Sequence, residues 1–277
     1  MTNGTQNIQI QVNLDAPKSE LQRAIQRTIY LVSAALNSTT QIGEGHLKLP
    51  EIEVEATFDS SLKWSSAEVS QNLKEWVLQN GFRDAVEFLS VFLESIHSVC
   101  TFWSLVQRQN GGQVLTGMDW QSATESEPKK FHRLGLPDKL DHLRDTHGIN
   151  VEPAVLKSIL SANSARNCLV HRNGIVSEKD ADSGVLVVSW KRMKLIAIDE
   201  DGEHELKTGV VYEKATTIAM KFVEESKSFN LGDSISFSPL EFQSIAWALF
   251  LFGNDLTATL SDWGIANGFV TPPPARA

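Results

Sequence analysis

Cysteine, long apolar runs and a basic leader are all scarce in this sequence, and each shortage removes a class of protein. Two cysteines among 277 residues, Cys100 and Cys168, allow no disulfide framework and no CxxC pair. Both read as reduced thiols inside helices of a cytoplasmic protein. The start, Met1-Thr2-Asn3-Gly4, has neither a basic region nor an apolar stretch, so no signal peptide is expected. The most apolar run, residues 245–252, is too short to span a bilayer and meets Asn254 and Asp255, so no membrane association is expected. No glycine-rich phosphate loop follows a strand, and HExxH, GxSxG and paired-cysteine zinc spacings are missing. His142 and His147 stand five apart across a helix end, with no third ligand nearby in sequence, so no metal and no cofactor are expected. There is no repeat of fixed period.

What is present is the composition of a globular protein: 42% hydrophobic and 21% charged residues, enough to build a sizeable core. The net charge of −9 argues against a general nucleic-acid binder. Its distribution is uneven, however. Between Lys129 and Arg172 there are eight Lys/Arg against four acids, together with four of the seven histidines. A local basic face on an acidic chain suits an anionic substrate brought to one site. A solvated helix face is the plainer reading of the same count.

Periodicity predicts a mainly α (α+β) protein. Alternation at Ile8, Ile10, Val12, Leu14 and at Ile52, Val54, Ala56, Phe58 predicts two strands flanking a helix from about Ser19. Residues 1–60 thus form a small strand-helix-strand subregion. Ser65 and Glu68 fit a capping box, opening a helix that Gly81 breaks or kinks. From Phe82 a wide apolar face continues to Val106, with His97 on or near it as a satisfied core residue. Residues 109–127 read as a loop. Pro137-Asp138 opens a short helix that Gly148 ends, and Lys139, His142 and Arg144 project from it. Strand-like runs at 185–189 and 194–198, the Asp201-Gly202 turn signal and a return strand at 203–207 predict an inserted β-hairpin. A helix follows at about 213–229, then a short strand at 234–237 pairing with the hairpin. Ser238-Pro239-Leu240-Glu241 caps a last helix to about Trp263, ahead of a disordered tail at 264–277. The main helical domain spans residues 61–263, with its β insertion around 184–210.

The candidate site closes a helix that begins near Pro153. Two apolar rows, Val155–Ile159–Ala162 and Leu156–Leu160, run at helical spacing. Extended by threes and fours they reach Arg166, Asn163, Asn167 and then Val170 or His171. Charged and amide groups on a core-facing stripe are costly unless partnered, or they line a cleft. Asn173-Gly174 is the stop signal. Arginine offers a planar fork to phosphate oxygens and histidine titrates near neutrality. With the ribose 2′-hydroxyl as nucleophile, such a pair can cleave RNA without metal. Asn167, four residues before His171, shares its face and can hold the imidazole or the phosphate. Arg166 and His171, five apart, do not share one face, so the arginine's reach or a second copy of the helix completes the site. The opposing reading is an arginine paired to an acid, with His171 at the helix C-terminus where the dipole favours a cation.

Arg166-Asn167, three residues and His171, followed by Asn173-Gly174-Ile175-Val176, resemble the R-x(4–6)-H signature of the HEPN superfamily in its ribonuclease form. The resemblance covers residues 129–176. It implies a HEPN-like helical bundle working as a homodimer in which two motifs face one cleft, and metal-independent RNA cleavage leaving a 2′,3′-cyclic phosphate. It implies catalytic roles for Arg166 and His171, supported by Asn167, and a toxin or defence effector with an antitoxin or other defence-system partner. Families controlled by modification of a tyrosine two residues after the histidine differ here, since Asn173 holds that place. Lys139, Arg144 and Arg172 are the expected RNA contacts. The alternative is a HEPN-like module that binds RNA, nucleotide or protein without cutting.

Overall fold

A computed structural model describes residues 12–40, 64–200, 202–206 and 217–270. Over these residues the protein is mainly helical and carries a three-stranded antiparallel sheet. All but residues 12–14 of the two N-terminal strands expected at 8–14 and 52–58, and residues 271–277 of the expected tail, lie outside the described residues. The start of that tail is ordered, since the last helix runs Pro239–Ala266 and Phe269 stacks on Trp103 at 5.3 Å between centroids. Residues 12–14 hold no strand and lead straight into helix α1, Asp15–Thr39. The Asn13 side chain accepts from the Asp15 N–H at 3.0 Å, so this helix starts earlier than Ser19.

Contacts group the chain into two interleaved units. The second comprises 23–89 and 152–252. It holds most of α1, the first part of α2 (Ser66–Asn110), α6 (Pro153–His171), the sheet, and the start of α7 (Pro239–Ala266). The expected capping box opens α2: Ser65 N–H donates to Glu68 at 2.8 Å and Glu68 N–H to the Ser65 hydroxyl at 3.3 Å. The helix then runs 45 residues without a break at Gly81. Glycine is required there by packing. A Cβ would lie 2.4 Å from Val32 Cγ2 and 3.2 Å from Phe242 Cζ. Gly81→Ala should gain about 1 kcal/mol of helix propensity and lose about 1–3 kcal/mol to overpacking against a stiff β-branched neighbour. A lowered urea midpoint is the expected net result. A raised one would mean that Val32 yields freely.

The sheet order is β2-β1-β3, with β1 Val185–Asp199, β2 Gly202–Glu205 and β3 Thr217–Asn230. The hairpin expected around Asp201-Gly202 is present, but its first arm is one 15-residue strand. From Thr217 on, the helix expected at 213–229 is instead β3, paired along nearly all of β1 from Val185↔Asn230 to Ile198↔Thr217, and residues 213–216 lie outside the described residues. Ile218, Met220 and Phe222 alternate, and the long neighbouring β1 pairs the inward-facing backbone groups of this edge strand. Across the sheet Arg192 joins Glu205 and Glu225, and Lys194 joins the same two acids. The pairs Leu195–Met220 and Met193–Phe222 share one face and stay exposed. Ser234 is no strand with the hairpin: it bridges Ile175, just past α6.

The first unit comprises 1–22, 90–151 and 253–277. The loop expected at 109–127 contains α3 (Gly117–Gln121), a π-helical turn (Ser122–Ser126) and the start of α4 (Glu127–His132). A reciprocal Thr116–Asp119 capping box nucleates it. Hydrogen bonds from the Thr116 backbone and hydroxyl and from Arg108 hold Asp119 down to about 2. Helix α5, Leu136–His147, ends as expected in left-handed Gly148, φ 70°. Helix α2 contains an 18-residue window long and apolar enough to cross a membrane by composition, which the short run at 245–252 did not anticipate. Yet Val86, Leu89, Leu93, Ile96 and Cys100 are buried within the protein, as in the core helix of a bundle.

Candidate functional site

Helix α6 forms where the sequence placed it. Pro153 sits at the first position, and Glu152 accepts from the N–H of Ala154 at 3.1 Å and Val155 at 3.2 Å. Its C-terminus closes by donation from Arg172 and Gly174 N–H to the Cys168 carbonyl at 2.9 and 3.1 Å. Asn173 and Gly174 both take positive φ, 51° and 77°. A side chain at 174 would be strained by that conformation and would meet Leu169 at 3.1 Å. The chain then turns back: Val176 and Ile235 N–H donate to the carbonyls of Asp233 and Gly174.

The buried stripe of α6 is Ile159, Ala162, Asn163, Ala165 and Cys168. It is rotated from the predicted rows, because small Ala165 and Cys168 fit the close approach better than Arg166 and Asn167 do. Arg166 and Asn167 are therefore half-buried and His171 is exposed. The Arg166 Nη1 donates to Asn167 Oδ1 at 3.2 Å, and Nη2 pairs with Glu87 on α2. Arg166 Nε is buried and meets no acceptor among the described residues. His171 makes no hydrogen bond among the described residues and lines an open cavity of about 570 Å³ with Arg172, Ser177, Glu178 and Lys179. Within one chain, then, Arg166 and Asn167 come together, while the cavity that His171 lines includes neither of them.

Of the expected RNA contacts, Lys139 needs correction, and the two arginines are already paired. Arg172 is clamped by Asp180: Nε donates to Oδ2 at 2.6 Å and Nη2 to Oδ1. Burial raises the Asp180 carboxyl, but Arg172 and the Ser177 backbone and hydroxyl together hold it below the ordinary range. Lys139 is 1% exposed and donates to Ser90 at 2.6 Å and Glu94 at 2.5 Å, so no RNA phosphate reaches it. Arg144 is exposed but paired with Asp141 and Asp145. Lys129 and Lys130 also pair, with Glu125 and Glu127. The acids at 87, 94, 125, 127 and 180 lie outside the 129–172 window. That is why a count along the sequence overstated the basic surplus.

The expectation of no metal rested on a missing third ligand, and the fold supplies one. His97 from α2 meets His142 and His147 from α5 in the first unit, with one ligand atom of each lying within 4.8 Å of the others. The His97 ring stacks on Phe131 at 4.1 Å between centroids. Burial, then the charge of neighbouring histidines, lowers His97 to about 4 and His147 to about 4. Both are neutral when folded. In metal-free protein, stability is therefore whole above the unfolded value near 6.5 and declines as pH falls from there to about 4. The unfolded chain takes up protons that the folded one refuses. The slope is at most about 1.4 kcal/mol per pH unit per histidine. Urea midpoints in EDTA at pH 7.5, 6 and 5 measure it. His147→Gln should flatten the slope, and an unchanged slope would place the acid sensitivity elsewhere.

Comparison with protein-family models, curated proteins and solved structures returned no match. The reading of function therefore stands on the residues themselves.

Proposed function

We propose that the chain is a metal-independent endoribonuclease of HEPN type, active as a homodimer, with Arg166, Asn167 and His171 at its centre. The observation that carries this reading is His171, an exposed imidazole ending α6 beside an open cavity and without a hydrogen bond among the described residues. It is free to take the 2′-hydroxyl proton or to protonate the leaving 5′-oxygen. Arg166 supplies charge for the phosphorane, with Asn167 bonded to its fork. The Glu87 partner is 53% exposed, so this ion pair is weak and a phosphate can replace it. Five residues of helix turn Arg166 and His171 about 140° apart. Two copies are therefore needed to bring one chain's arginine to the other's histidine, and the dimer partner is this same chain. A toxin or defence role, with an antitoxin as a further partner, belongs to this reading and rests on the motif alone.

One observation favours the alternative of a non-cutting module for RNA, nucleotide or protein: the motif's Arg166 and the neighbouring Arg172 already have acidic partners within the chain. The two readings separate on the products. Purified protein incubated with mixed RNA in EDTA should release fragments ending in 2′,3′-cyclic phosphate. Cleavage that needs added metal, or leaves 3′-hydroxyl ends, would end the proposed chemistry. RNA retention without fragments would favour the binding module.

A further inference from the structure

We propose that His97, His142 and His147 form a binding site for one divalent transition metal of the zinc class. The site belongs to the first unit and does not rest on the ribonuclease reading. Its geometry begins with His147 Nε2 and His97 Nδ1, 3.3 Å apart. In a tetrahedral site with metal–nitrogen bonds of about 2.0–2.1 Å, two ligand nitrogens stand about 3.3–3.4 Å apart. That spacing also suits a hydrogen bond between two imidazoles, so the third residue decides. His142 brings a ring nitrogen within 4.8 Å of the other two. It makes no hydrogen bond among the described residues, so drawing its nitrogen in toward an ion breaks none there.

The surroundings suit an ion. The Thr101 hydroxyl lies 3.4 Å from His97 Nε2. With that hydroxyl accepting from Nε2–H, the free lone pair sits on Nδ1, facing His147. Metal-bound histidines are fixed in this way through their outer nitrogen. Phe131 holds the His97 ring from one side, and the Trp263 ring meets His147 edge-on at 6.5 Å. His97 and His147 are buried and His142 is half-buried, which leaves a path for entry. Three neutral nitrogens without a carboxylate disfavour calcium and magnesium and suit zinc, cobalt, nickel or copper. The trio leaves one tetrahedral position for water.

The full chain, stripped with EDTA and dialysed, is titrated with cobalt(II) and then zinc. The expected result is one equivalent of cobalt with the visible bands of a tetrahedral ion, displaced by zinc, and a melting temperature raised by several degrees in excess zinc. His142→Ala, which alters a half-buried side chain, should abolish the bands. A long-range proton–nitrogen spectrum of the unaltered chain should show three of its seven histidines shifting on zinc binding. This measurement stands even if the variant fails to fold. No bands in the unaltered chain, bands unchanged in His142→Ala, or zinc shifting a different set of imidazoles would overturn the site.

Discussion

His171→Ala should lower RNA cleavage by about 10²–10⁴-fold, the usual contribution of a positioned acid–base group. It should leave the melting temperature unchanged at pH 8. The separation follows from where the imidazole sits. It is exposed, it lines an open cavity and it makes no hydrogen bond among the described residues. Its truncation therefore leaves no buried group unpaired. Arg166→Ala gives the complementary comparison. Its Glu87 ion pair is partly exposed and worth at most about 1 kcal/mol, so a large loss of cleavage at nearly constant stability would mark a phosphate-binding role. Cleavage equal in all three chains, with stability falling only in Arg166→Ala, would make the arginine a scaffold and end the ribonuclease reading. Native mass spectrometry on the same samples reads the dimer that the reading requires.

The parts of this fold that were legible in sequence are those decided locally. Pro153, the helical rows and Asn173-Gly174 bounded α6 correctly because capping and left-handed turns act within a few residues. Gly148 and the Ser65–Glu68 and Ser238–Glu241 capping boxes worked for the same reason. Failures came where a distant partner decides. Residues 217–230 became a strand because β1 was there to pair with. Lys139 looked like a solvent-facing lysine on an amphipathic helix. Its burial is set by Glu94 and Ser90, more than forty positions earlier in the chain. His97 was taken as core filling, which its burial supports, but the two imidazoles that meet it lie on another helix. Rows drawn through bulky residues also misjudged the buried face of α6, which the small side chains Ala165 and Cys168 define.

Asp180→Ala should destabilise the protein by about 2–4 kcal/mol and disturb the His171 cavity as well. Its carboxylate is 1% exposed. It accepts from Arg172, from the Ser177 N–H at 3.0 Å and from the Ser177 hydroxyl at 2.8 Å. Removing it leaves several donors unmatched. Arg172 is 25% exposed and recovers some hydration, which keeps the loss below that of a fully buried pair. Because the folded pKa of Asp180 is lowered, its stabilisation is present above the unfolded carboxylate value. It is lost as pH falls through the folded one. Asp180→Ala should therefore be worst near neutrality and approach the unaltered chain in acid. Combined with Arg172→Met, which removes the stranded cation, the cycle should recover at least about 1 kcal/mol. The clamp also fixes the 172–180 segment whose Ser177, Glu178 and Lys179 wall the cavity beside His171. Cleavage should consequently fall in Asp180→Ala at temperatures where the chain is still folded. A variant as stable and active as the parent would mean that this loop neither holds α6's end nor shapes the cavity.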